Sequence, residues 1–428
     1  MVSRLVVKAY WTFAALGGIY AIILGLLTQP LLQRHALYAH KIHTGTWWNN
    51  ISEPETFGFA KNQVTPFYLP TPDGERLYCW HILPLSIYAQ HQDTITTQPA
   101  GPVADFTTTT AHALLRADPT SRIVINFHGN AGHLAQGHRT QTYASITALP
   151  AAHLLTCDYR GFGLSSGSPS EQGLITDALT LTSFVLHTLN HPPARTLILG
   201  QSLGTAVASA TSLFYLDPHS PLLPASLSNT TTSPPPTPIS FASTILVAPF
   251  PSLPALLLKY RIAGLIPVLG PLKGYPKLLA YMTARIIDPW PTLPRWQAAF
   301  ATARALNVPL NLHILHARND ADIPFAQGEA LFEGVSAVMR DGVGSGEQSV
   351  LREIHERRSE VGDAVRRGAW AYRRCVDGEG VRVGDDGMAK VTARRRVELE
   401  ITRWGGHNRI VAGAQVALAV RRAFEEAA

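Results

Sequence analysis

Thr196-Leu197-Ile198-Leu199-Gly200-Gln201-Ser202-Leu203-Gly204 is the stretch that decides the fold. A short apolar run ends in Gly-x-Ser-x-Gly, and the breaker-free Ala206-Val207-Ala208-Ser209-Ala210 follows it. Strand, sharp turn and helix in that order make a nucleophile elbow. The turn forces Ser202 into a strained backbone conformation, and Gly200 and Gly204 remove side chains that would clash there. The hydroxyl is then presented at a helix N-terminus, where backbone N–H groups and the dipole favour negative charge.

Outward from the elbow, short apolar strands alternate with helices. Val64–Pro84 reads as a hairpin around Pro72-Asp73-Gly74. Strands are expected at 122–127, 154–157, 244–247 and 310–315, helices at 138–149, 170–190 and 203–215, and Val397-Glu398-Leu399-Glu400-Ile401 alternates with period two before a terminal amphipathic helix at 411–427. This pattern predicts an α/β fold: a mostly parallel sheet with helices on both faces. Residues 64–428 form that domain. It is interrupted by a loose Thr-rich insertion at 89–113, a Pro-rich loop at 217–240 too rich in breakers to pack as core, and a solvated Arg/Glu/Gly-rich insertion at 340–396. The apolar, proline-broken stretch 251–300 is expected to cap the site, since its prolines argue against long core helices.

At 428 residues the chain can hold one large domain with insertions. The net charge of +6 is spread among Glu and Asp over 340–400 rather than gathered in a basic stripe, which argues against nucleic acid as a partner. Three cysteines do not make a disulfide framework, and Cys79 and Cys157 read as buried small hydrophobes. After an N-terminal flank (1–8), Ala9 to Gln33 carries no charge. About 25 residues at about 1.5 Å each can cross a hydrocarbon core of about 30 Å. With no Ala-x-Ala site after it, the segment 9–33 reads as a single-pass transmembrane anchor rather than a cleaved signal peptide, joined by a linker at 34–63. Basic residues flank it on both sides, so charge barely sets orientation. Asn50-Ile51-Ser52 and Asn229-Thr230-Thr231 are glycosylation sequons, which tilts the expectation toward a luminal domain in the endoplasmic reticulum.

An acyl-transfer serine needs a base, an acid that orients the base, and oxyanion donors. In this architecture the order along the chain is Ser, acid, His. The strand at 310–315 runs into His316-Ala317-Arg318-Asn319-Asp320-Ala321-Asp322, and the final strand into Trp404-Gly405-Gly406-His407-Asn408. His407 is therefore the candidate base, with Asp320 or Asp322 as the acid. Phe127-His128-Gly129-Asn130 closes the first long strand, so the N–H groups of Asn130 and Leu203 are the candidate oxyanion donors, with His128 and Gly129 bracing the turn. Asp158 is assigned no chemistry. No Cys/His pair shows zinc spacing, and this chemistry needs no metal or organic cofactor.

The runs Phe-His-Gly-Asn-Ala-Gly, Gly137-His138-Arg139, Asp158-Tyr-Arg-Gly-Phe-Gly163, Gly-Gln-Ser-Leu-Gly-Thr and Ala248-Pro-Phe250, with Ile323-Pro324-Phe325 and His407-Asn408, resemble one family. It is that of the membrane-anchored α/β-hydrolase-domain serine hydrolases that cleave monoacylglycerols and lysophosphatidylserine, with their fungal relatives. The likeness covers roughly 120–335 and 397–427 plus the anchor, the extent of one hydrolase domain. It implies an α/β-hydrolase fold and a triad of Ser202, Asp320 and His407, Asp320 standing three residues before Ile323 as the family's acid does. Asp322 is left to cap the helix that begins near Pro324. The three insertions and Gln201 in the elbow depart from the family pattern. A neighbouring branch that removes palmitate from protein cysteines also has Gln at that elbow position. The expected activity is thus hydrolysis of long-chain acyl esters at a membrane, with a lipid as partner. Protein-palmitoyl thioesterase is the alternative, and a catalytically idle membrane-tethered scaffold the more distant one.

Overall fold

The computed structural model describes residues 4–42, 50–225, 227, 235, 237–262, 266–341, 365–367, 370–377, 381–383, 389–391 and 393–427. An apolar helix, α1 (Arg4–Leu26), is followed after a turn by α2 (Pro30–Tyr38). The segment expected as one span over 9–33 therefore divides, because Pro30 cannot continue a helix but suits the first turn of a new one. Val6–Leu26 is long and apolar enough to cross a membrane.

The sheet is built from β1 (Val64–Pro70), β2 (Arg76–Ile82), β3 (Arg122–Phe127), β4 (Ala152–Cys157), β5 (Thr196–Gln201), β6 (Ser243–Val247), β7 (Leu310–Ala317), β8 (Val365–Arg367), β9 (Trp370–Asp377) and β10 (Arg395–Thr402), in the spatial order β1-β2-β4-β3-β5-β6-β7-β10-β9-β8. From β4 to β10 all neighbours run parallel, and both edges are antiparallel. The connecting helices are α3 (Arg139–Thr147), α4 (Glu171–Ser183), α5 (Leu203–Leu216), α6 (Pro276–Thr283), α7 (Thr292–Ala305), α8 (Ala326–Asp341) and α9 (Ala414–Ala427). Alternation along β5 sends Ile198 into the core layer shared with α4, α5, α7 and α8, and Leu197 and Leu199 into the layer under α3 and α9. A sheet buried on both faces explains why its central strands read as continuous apolar runs. This is the α/β-hydrolase architecture.

Several expectations change. Residues 89–113 are not loose: Ile95, Phe106 and Ala111 are buried, with the Phe106 ring 5.1 Å from that of Phe67 on β1. In the Pro-rich loop, Leu223 and Leu227 are buried, while most of 226–236 lies outside the described residues. Of the stretch expected as a cap, 292–300 begins α7, a core helix with Trp296 and Phe300 buried, and Leu253, Leu256 and Trp290 join the same core, whereas Leu269 and Leu272 pack with Leu24 and α6 buries no residue. The solvated excursion at 340–396 contributes β8 and β9, which extend the sheet past β10; much of the rest lies outside the described residues. Glu398 and Glu400, polar in the alternation of β10, are buried and face His313, with Arg422 of α9 bonded to Glu400. Cys79 and Cys157 are joined by a disulfide rather than standing as separate thiols, because they lie directly opposite on β2 and β4.

Candidate active site

Ser202 follows the last residue of β5 and precedes α5, with φ 50° and ψ −116°. Such a conformation costs a non-glycine residue about 1–3 kcal/mol. It is held by the Ser202 N–H bond to Val247 O (3.0 Å) on the neighbouring strand. The two elbow glycines are required by space. A Cβ on Gly200 would overlap the carbonyl of Gly204, and one on Gly204 would overlap that of Phe127.

The loops after β7 and β10 converge on this turn at the carboxyl ends of the parallel strands, where open α/β sheets place their ligands. His407 Nδ1 donates to Asp320 Oδ2 at 2.9 Å, which leaves Nε2, 3.0 Å from Ser202 Oγ, to accept the serine proton. The other Asp320 oxygen accepts from the N–H groups of Asp322 (3.0 Å) and Ile323 (2.8 Å). Asp320 is therefore both the partner of the imidazole and the acceptor that closes the turn before the helix Ala326–Asp341. Asp322 lines the cavity. Burial alone would raise the Asp320 carboxyl, but hydrogen bonds and charge from His316 and His407 outweigh it and hold it well below the usual carboxylate range. Asp320, Asp322 and His407 also bring ligand atoms within 4.8 Å of one another, but Asp320 Oδ2 already accepts the His407 Nδ1 proton.

His407 is fixed from a further side. His138 Nε2 bonds Gln201 Oε1 (3.2 Å), and Gln201 Nε2 donates to His407 O (3.2 Å). Burial pulls His138 down to about 4 despite that bond, so its imidazole is neutral at physiological pH. Gln201, a departure from the family pattern, thus braces the histidine loop.

The turn after β3 is held from beneath. Arg139, fully buried at the start of α3, donates to the carbonyls of His133 (2.6 Å), Gly129 (2.8 Å), Asn130 (2.8 Å) and Ala131 (2.9 Å). Because a trans peptide points its C=O and N–H in opposite directions, binding Gly129 O directs the Asn130 N–H away from Arg139. Asn130 and Leu203 line the same cavity as Ser202 and His407, and Gly129 packs against Ser202. His128 is buried, with Nδ1 2.8 Å from Gly129 O and Nε2 3.6 Å from Asp158. Burial pushes Asp158 up to about 7 against the opposing bond from Leu134 N–H.

Above Ser202 lies a cavity of about 490 Å³, within the range of about 300–1,000 Å³ usual for small-molecule sites. Its walls come from the end of α1 and from α2, from the cap (Leu253, Leu256, Met282), and from the loops carrying Ser202 and His407. Asn50 is exposed, its side chain bonded to Glu53 and Ser52 N–H; Asn229 lies outside the described residues.

The chain is similar to lysophosphatidylserine lipases. It is 29% identical over 195 residues to lysophosphatidylserine lipase ABHD12 of Danio rerio, a match covering 45% of each chain. Against the Mus musculus protein of that name it is 31% identical over 163 residues, 37% of this chain and 35% of that one. The matched part is thus less than half the length of these curated relatives. No protein-family model matches the chain. Among solved structures, an α/β hydrolase from Vibrio vulnificus aligns over 77% of this chain and 91% of its own at 15% identity and TM-score 0.45.

Reading the sequence missed Arg139 as the support of the Asn130 turn, the His138–Gln201 brace, and the share of residues 24–39 in the cavity. Arg139 and Gln201 stand in the runs Gly137-His138-Arg139 and Gly200-Gln201-Ser202, but a contact to a loop carbonyl leaves no pattern along the chain.

Proposed function

We propose that the protein is a membrane-anchored serine hydrolase that cleaves long-chain monoacyl esters, monoacylglycerol or a lysophospholipid such as lysophosphatidylserine. The observation that carries this reading is the 3.0 Å contact of Ser202 Oγ with His407 Nε2 on the floor of an apolar cavity. His407 takes the Ser202 proton as Oγ attacks the ester carbonyl, and Asp320 stabilises the imidazolium. The N–H groups of Asn130 and Leu203 receive the oxyanion. His407 then returns the proton to the leaving alcohol, giving an acyl-enzyme. A water deprotonated by the same imidazole attacks the acyl carbon and releases the fatty acid and free Ser202. The Cys79–Cys157 disulfide and the exposed Asn50 sequon support an oxidising, luminal location, in the endoplasmic reticulum.

A fluorophosphonate probe should label the wild-type protein and not Ser202→Ala. Given micellar substrates, the enzyme should turn over palmitoyl lysolipid or monoglyceride faster than acetyl esters or palmitoyl-cysteine peptides. Equal labelling of the two proteins would refute the serine mechanism. A preference for palmitoyl-cysteine peptides would make the protein a thioesterase.

A further inference from the structure

We propose that the anchor is part of the substrate site: the acyl chain lies between the end of α1, helix α2 and the cap, with Leu27 and Ala36 setting the chain length accepted. This rests on the lipid-hydrolase reading and adds a role that a tether does not have. Along most of its length α1 is bare, as a lipid-facing helix should be. At its far end the pattern changes. Leu24 is only 7% exposed and packs with Leu269 and Leu272 of the cap, and Tyr20 donates to Val268 O at 2.6 Å.

The turn into α2 is then bonded in place. Gln33 Nε2 donates to Leu27 O (2.9 Å) and Arg285 O (3.0 Å), and its Oε1 accepts from Ile287 N–H (2.7 Å). One side chain thus ties the end of the span to the cap. At the other end of α2, Tyr38 is buried and donates to Asp288 (2.9 Å), while Asn130 Nδ2 donates to Leu37 O (2.5 Å) and Ala131 N–H to Tyr38 O (3.3 Å). Helix α2 therefore bridges the cap and the turn proposed to hold the oxyanion. Leu24, Leu27, Thr28 and Ala36 line the cavity that contains Ser202. Leu24, inside the end of the apolar helix, and Leu27 and Thr28 just after it thus form part of the cavity wall. An acyl chain can then slide from the leaflet along Leu24 and Leu27 toward Ser202 while its apolar surface stays out of water.

The test uses the full chain in lipid nanodiscs and a series of p-nitrophenyl esters from butyrate through palmitate to behenate. The readout is the ratio of kcat/KM for palmitate to that for butyrate, which does not depend on the fraction of protein folded. Leu27→Trp and Ala36→Trp should each lower the ratio at least ten-fold. Leu27→Ala should shift the optimum to longer chains, and decides the matter if the larger residues prevent folding. Leu31→Trp, on the same helix α2 as Ala36 but away from the cavity, should keep the wild-type ratio. Wild-type ratios in the Leu27 and Ala36 variants, with the wild type preferring palmitate, would overturn this inference and leave the hydrolase reading standing. A wild-type protein that hydrolyses no ester would overturn both.

Discussion

Replacing Asp320 by Asn changes one oxygen to a nitrogen at the point where two requirements meet. In the wild type, Oδ2 accepts the His407 Nδ1 proton and Oδ1 accepts two loop N–H groups. Asn has one acceptor oxygen for these two jobs. If the oxygen stays with the loop, the amide NH₂ faces Nδ1 and forces the imidazole into the tautomer protonated on Nε2, which cannot accept the Ser202 proton. If the oxygen turns to His407, the NH₂ meets two N–H donors, and each unpaired buried donor costs about 1–3 kcal/mol. The first orientation is the cheaper for folding and the more damaging for chemistry. A triad in the wrong tautomer loses about 10⁴ in turnover, or roughly 5.5 kcal/mol of barrier at about 1.36 kcal/mol per tenfold. Asp322→Asn, which leaves both Asp320 oxygens in place, should lose less than about ten-fold, as expected when no buried pair is broken. The assay is kcat on a micellar long-chain monoacyl ester, with fluorophosphonate labelling rate and Tm measured on the same preparations. An Asp320→Asn enzyme within ten-fold of wild type, beside an inactive Asp322→Asn, would refute the assignment.

Arg139→Gln should lower kcat by about 10²–10³ with little change in KM, the loss expected when an oxyanion donor is misplaced; unchanged kcat would remove Arg139 from any positioning role. Asp158 has its folded pKa raised from 3.8 to about 7, so the folded protein binds the extra proton between those values and its stability falls as pH rises through that window. Wild-type stability relative to Asp158→Asn should therefore drop by at most about 1.4 kcal/mol per pH unit from about pH 4 to 7 and level off above, read from Tm against pH. A pH-independent difference would contradict the shift. If the domain is luminal, Asn50→Gln should lose one glycan in an endoglycosidase mobility assay, and an endoglycosidase-insensitive wild type would reverse the topology.

Much of this was legible along the chain because the signals are local. The apolar run into Gly-x-Ser-x-Gly signals strand, turn and helix from its own residues, and Gly200 answers a clash inside the elbow, whereas Gly204 answers one with the distant Phe127 carbonyl. The loops carrying Asp320 and His407 could be placed because each follows a strand whose apolar run was visible. The β8–β9 extension could not be read: β9 is charged, and its place in the sheet depends on pairing with β10 rather than on its own pattern. The same holds for residues 89–113, whose few apolar side chains find partners only once β1 is in place.

The fold class, the elbow serine, its candidate partners and an apolar N-terminal segment are readable along the chain because periodicity and turn chemistry act over a few residues. Packing alone sets which aspartate meets His407, that Cys79 lies against Cys157 across 78 residues, that Arg139 holds the Asn130 turn, and that the apolar N-terminal segment divides before Pro30 and lines the cavity. Each of these depends on two distant segments meeting in one orientation, and the free energy that selects it belongs to the packed core rather than to either segment alone.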